Sequence, residues 1–154
     1  PFASQFAIWS VRVWVTALKL EQPFEAISGN TFRRFDLMPA QRVLDELMLI
    51  VANGASRQID IRCLECSHVS PDEMLFHDAL ADAQRGAPFA AYDGLRAWLA
   101  PAAARIAYGT LVRLGNLLGS ASLHLAAQRS GAIARQRAKS AEPAYRTHAS
   151  PTLH

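Results

Sequence analysis

Five prolines constrain this chain more than any other feature: Pro23, Pro39, Pro71, Pro88 and Pro101 each stand at the head of a segment whose apolar residues recur at helical spacing. Proline does no harm in the first turn of a helix, where its missing N–H would have no intrahelical partner, but it breaks helix interiors and central strands. A chain punctuated in this way is expected to fold as short helices joined by turns. After Pro23, Phe24, Ile27, Thr31 and Phe35 share a face, although Gly29-Asn30 in the middle weakens the helix, since an interior Gly costs about 1 kcal/mol relative to Ala. After Pro39, Val43, Leu44, Leu47 and Val51 form one face, and Asn53-Gly54 reads as a left-handed stop. Ser70-Pro71-Asp72-Glu73 is a capping box followed by Leu75, Phe76, Ala79, Leu80 and Ala83 on the core side, with Asp78 and Asp82 on the wet side and Gly86 at the end. Tyr92, Leu95, Trp98 and Leu99 follow Pro88. The last segment, from Pro101 to about Gly119-Ser120, carries Ala103, Ile106, Ala107, Leu111, Leu114, Leu117 and Leu118, with Gly109 and Gly115 placed to allow close backbone packing.

Ahead of these lies a further helix, Ser4 to Leu20. Phe2, Phe6, Trp9, Val13, Ala17 and Leu20 share one face, and Gln5, Arg12, Thr16 and Lys19 are expected on the opposite one. Ile8, Val11, Val15 and Leu18 widen the apolar stripe beyond a narrow seam. A stripe of that width belongs either to a central core helix or to one that also meets another subunit. The candidate interaction face is Trp9, Val11, Val15 and Leu18.

The helical period disappears between Gly54 and Ser70. Gln58 to Arg62 alternates like a short strand, but no partner strand exists, so it reads as an extended connection packed on helices. This connection leads into Cys63-Leu64-Glu65-Cys66-Ser67-His68, which holds both cysteines of the chain. Thiolates at Cys63 and Cys66 with His68 nearby resemble part of a zinc site, yet a structural zinc needs four ligands, and His77, His124 or a second subunit would have to complete it. A dithiol redox role wants a helix beginning directly after the motif, and the capping box puts that start four residues beyond Cys66. Covalent haem attachment fails because Ser67 stands where the histidine is needed. The bland alternative is two semi-buried thiols and an exposed loop histidine. Glu73 and His77 are i, i+4 neighbours that could form an acid–base pair, but no nucleophile or substrate-binding group accompanies them.

Charge separates body from tail. Residues 1–124 hold 11 Lys or Arg against 12 Asp or Glu, whereas residues 125–154 hold 5 against 1, so the basic character belongs to the tail. The body offers no net positive field for nucleic acid, and Trp9, Trp14 and Trp98 lie in apolar helical segments suited to core packing. Only the Arg129–Lys139 stretch could contact nucleic acid, and weakly. No apolar run of eighteen residues spans a membrane, a two-cysteine chain is not a disulfide scaffold, and no signal-peptide pattern opens the sequence, which points to a cytoplasmic protein; the start at Pro1 leaves room for residues removed upstream.

The expectation is a single-domain, all-α, irregular orthogonal bundle of five or six helices over residues 1–124, with a flexible basic tail over 125–154. The function that fits is a non-catalytic protein–protein interaction or scaffold module that self-associates through the first helix, with no cofactor. The alternatives are a metal- or redox-responsive regulator using Cys63, Cys66 and His68, and an enzyme without a sequence signature; the absence of a phosphate loop, nucleophile elbow or His-Glu-x-x-His argues against the last.

Overall fold

The computed structural model describes residues 1–128, which form six helices: α1 (Phe2–Lys19), α2 (Phe24–Arg34), α3 (Met38–Gly54), α4 (Pro71–Gln84), α5 (Pro88–Arg96) and α6 (Pro101–Ser120). Among the described residues there is no β-strand, only one antiparallel bridge between Ala55 and Leu99. No helix there is long and apolar enough to cross a membrane. Each proline takes the place its chemistry allows: Pro71, Pro88 and Pro101 are the first residues of their helices, Pro39 is the second of α3, and Pro23 is the cap residue ahead of α2. The α4 capping box is fully formed, with the Ser70 hydroxyl accepting from the Glu73 N–H at 3.0 Å and the Glu73 carboxylate accepting from the Ser70 N–H at 2.8 Å.

The core is one contiguous cluster drawn from all six helices, with α3 packed most extensively on α6 and α4 on α5. Small residues set these approaches. A Cβ on Gly54 would lie 2.6 Å from the Ala103 Cβ, and one on Gly94 would lie 2.8 Å from the Ala79 Cβ. Gly54 is therefore not the expected left-handed stop but the last residue of α3, kept small by α6 beside it. Gly115 touches Gln84, as its expected packing role requires, whereas Gly109 faces open space and serves no such contact. Among the described residues the one positive-φ glycine is Gly86, at φ 72° in the turn after α4.

Two expectations about polar faces are overturned. Arg12, expected on the wet side of α1, is only 6% exposed, because the connection between α3 and α4 folds over that side of the helix. Asp78 and Asp82 are likewise buried, and over Asp78 the chain beyond α6 returns across α4, the Gln128 N–H donating to its carboxylate at 2.8 Å. That return also moves the boundary of the body. Leu125 joins the core, and its N–H donates to the Gln84 side chain at 2.8 Å, so packing continues past His124. The remainder of the expected tail, including Arg129–Lys139, lies outside the described residues.

Candidate functional site

The residues between α3 and α4 have no regular structure, and their backbone groups must find partners elsewhere. Arg12, in the middle of α1, supplies several. Its Nε donates to Glu73 Oε1 at 2.7 Å and its Nη2 to Glu73 Oε2 at 2.9 Å, a two-pronged pairing across 61 positions of sequence. The remaining donors reach the loop itself: Nη1 to the Cys66 carbonyl at 2.6 Å and Nη2 to the His68 carbonyl at 2.9 Å. Glu73 accepts, in addition, the N–H groups of Ser70 and of Arg62, the latter at 3.0 Å. One guanidinium and one carboxylate thus join α1, the loop and the start of α4.

A second carboxylate repeats the arrangement next door. Asp72 accepts from Arg57 Nη2 at 2.6 Å and Nη1 at 3.0 Å, from the Asp60 N–H at 2.7 Å, and from the Trp98 indole at 3.3 Å. Burial is the largest single influence on both carboxyls and would raise their pKa values. For Asp72 the bonds from Arg57, Asp60 and Trp98 together with the Arg57 charge outweigh it, and for Glu73 those from Arg12, Ser70 and Arg62 with the Arg12 charge do so; both carboxyls sit below their ordinary range. The Arg12 guanidinium is shifted up, since its hydrogen bonds to Glu73 outweigh its own burial. The two acidic residues of the first turn of α4 also face the positive end of its dipole.

The candidate chemical residues are placed differently from one another. Cys63 and Cys66 are joined by a disulfide, with Cα atoms 5.2 Å apart, in place of the two thiols expected. Cys63 is exposed and Cys66 half-buried, while His68 is exposed with its Nδ1 3.0 Å from the Ser67 hydroxyl. The structure therefore brings Cys63 and Cys66 together and leaves His68 hydrogen-bonded to its neighbour. Among the described residues no three His, Cys, Asp or Glu side chains gather in a metal-binding arrangement. Glu73 and His77 do not pair either: Glu73 is taken by Arg12, and His77 contacts Ser4 Oγ at 2.9 Å through Nε2 and Asp78 at 3.2 Å through Nδ1. Arg12 is the central residue that periodicity alone misses. The only sequence signal for it is a charged side chain in the middle of an otherwise unusually broad apolar stripe.

Two open grooves flank α1. The smaller, of about 390 Å³, is lined by Ile8, Trp9, Arg12 and His77 on the helices and by Leu64 and Val69 from the disulfide loop. The larger, of about 740 Å³, lies between α1, α3 and the extended connection, with Trp14, Met48, Val51 and Ile59 among its lining and Lys19 and Asp60 on its polar border. The proposed interaction residues are consequently split. Trp9 lines the smaller groove, Val15 and Leu18 line the larger, and Val11, 1% exposed, is in the core and must be removed from any surface. No protein-family model, curated protein or solved structure matches the chain.

Proposed function

We propose that this chain is a non-catalytic helical interaction module that pairs with a second copy of itself through the larger groove beside α1. The observation that carries the reading is Leu18, 56% exposed, standing at the edge of the groove it helps to line, with Leu20 (58% exposed) just beyond it. A two-fold contact needs a protrusion and a recess on the same face, so that each copy gives what the other receives. The groove border carries both signs of charge, Lys19 and Asp60, so the same rotation can set the lysine of one copy against the aspartate of the other. The buried polar groups favour binding over catalysis: Arg12, Glu73 and Asp72 are bonded to one another's neighbourhoods and to backbone, and none of their donors or acceptors is aimed into the larger groove.

Sedimentation equilibrium of the full chain at micromolar concentration tests this. The expected result is a dimer that Leu18→Asp converts to monomer with unchanged helicity, while Phe89→Asp, at a site on α5 that is 86% exposed, leaves the dimer intact. A wild-type chain that is strictly monomeric, or a dimer indifferent to Leu18→Asp, overturns the reading.

A further inference from the structure

The Cys63–Cys66 disulfide closes a loop containing only Leu64 and Glu65, and so small a loop removes little entropy from the unfolded chain. It is not what holds the segment in place. The anchors are backbone groups: the Cys66 and His68 carbonyls on Arg12, the Arg62 N–H on Glu73, the Asp60 N–H on Asp72, and the Asp60 carbonyl on the Ser70 hydroxyl. Even the turn between the cysteines has its own bond, from the Cys66 N–H to the Cys63 carbonyl at 3.2 Å. None of these involves sulfur, and all remain available when the two sulfurs are separate thiols. The bond therefore joins an exposed residue to a half-buried one, and the backbone anchors of the segment do not pass through it.

We infer that Cys63–Cys66 is an exchangeable redox site, reduced by a dithiol that attacks at Cys63 while the helical body stays unchanged. A thiolate of the reductant attacks the sulfur of Cys63, the exposed residue of the pair, and forms a mixed disulfide; the Cys63–Cys66 bond breaks, its electron pair goes to Cys66, and the Cys66 thiolate takes a proton from solvent. The reductant's second thiolate then attacks its own sulfur in the mixed disulfide and displaces Cys63 as a thiolate, which is protonated in turn. Two electrons and two protons enter the protein, and the reductant departs as a disulfide. Cys63 is the residue attacked because it is the more exposed of the two, whereas Cys66 is half-buried and its carbonyl is held down by Arg12. The Arg12 charge is matched by Glu73, so exposure rather than an activated thiolate governs the reaction. Leu64, between the cysteines, is part of the wall of the smaller groove, and that wall is where the change of state is felt. This inference does not depend on pairing through the larger groove.

The test uses the full chain under native conditions. Dithiothreitol followed by iodoacetamide should alkylate both cysteines, with helicity retained and a Tm within about 4 °C of the oxidised protein, a small shift for a domain of this size. Removing the reductant and adding oxidised glutathione should restore the bond. Hydrogen exchange should quicken only around Cys63–Ser67. Sulfurs that react only after denaturation, a fold that collapses on reduction, or thiols that do not re-form the bond would each overturn the inference. Brief exposure to reduced glutathione, a monothiol, followed by rapid alkylation separates the two sulfurs: fragment masses should place glutathione on Cys63 and the alkyl group on Cys66. The reverse placement overturns the assignment of Cys63.

Discussion

The two sides of α4 are held by opposite means. Its start is fixed by charge, with Asp72 and Glu73 buried against Arg57 and Arg12 and accepting the N–H groups of Asp60, Arg62 and Ser70. Further along, it meets α5 and α6 largely through small and apolar contacts: Gly94 on Ala79, and Leu80, Leu111 and Leu114 in the shared core. The apolar region tolerates no extra volume but asks for no particular partner. The polar region specifies which residue meets which, and it stabilises only while complete, because a buried pair roughly offsets its own desolvation whereas a buried charge left alone does not. The same chain thus uses shape where helices are long enough to interlock, and charge where an irregular segment must be held to them.

The largest effect should come from breaking the polar side. Arg12→Met leaves Glu73, 1% exposed, without its cation and uncovers the Cys66 and His68 carbonyls, which should cost about 3–5 kcal/mol in denaturant unfolding. Adding Glu73→Gln, which keeps an acceptor for the capping box, should recover part of that loss. The pH profile sharpens the point. Both carboxyls are lowered from ordinary values of 3.8 for Asp72 and 4.5 for Glu73, so in the wild type their stabilisation is complete above about pH 4.5 and is lost as the pH falls through the lowered folded values. In Arg12→Met the Glu73 carboxyl loses its main opposing influence and burial raises it, so mild acid should cost that variant less stability than it costs the wild type. An Arg12→Met profile that parallels the wild type would mean the pair is not what lowers Glu73.

The α3–α6 contact is held by shape, as the apolar side of α4 is, and it should answer to volume alone. Gly54→Ala places a Cβ 2.6 Å from the Ala103 Cβ, and α3 and α6 must separate to admit it. Overpacking of this kind costs about 1–3 kcal/mol, against a helix-propensity gain of up to about 1 kcal/mol, so a net loss near 1–2 kcal/mol is expected. Ala103→Gly in the same chain should relieve the clash. Because Gly54 shares no partner with Arg12, the Gly54→Ala and Arg12→Met losses should add.

What could be read from the sequence divides along the same line. The helices, the proline starts and the capping box are local, encoded within a few positions, and the structure has each of them. Arg12 and Glu73 are 61 positions apart, and helical periodicity, which knows only one helix at a time, puts Arg12 in water. Asp78 was hidden for a related reason, since its cover comes from Gln128, on the far side of α6. The cysteine pair was visible as a pair, but spacing does not report whether two nearby sulfurs are joined. Val11 shows the opposite error: a broad apolar stripe looks like spare surface until neighbouring helices close over it.

The smallest effect lies at the seam between the two regions. Ser70 serves the helix by capping Glu73, and it serves the loop by donating to the Asp60 carbonyl. Ser70→Ala should cost about 1 kcal/mol, the usual loss for an N-cap, because Glu73 keeps both Arg12 bonds and its hold on the Arg62 N–H. The same substitution made in Arg12→Met meets a different helix start, one whose Glu73 has already lost its anchor. There the two losses should not add, and the departure from additivity, measured by a double-mutant cycle, reports how strongly the cap and the ion pair act as one unit. Additive losses would instead mean that the cap belongs to the helix alone and that Arg12 holds the loop without help from it.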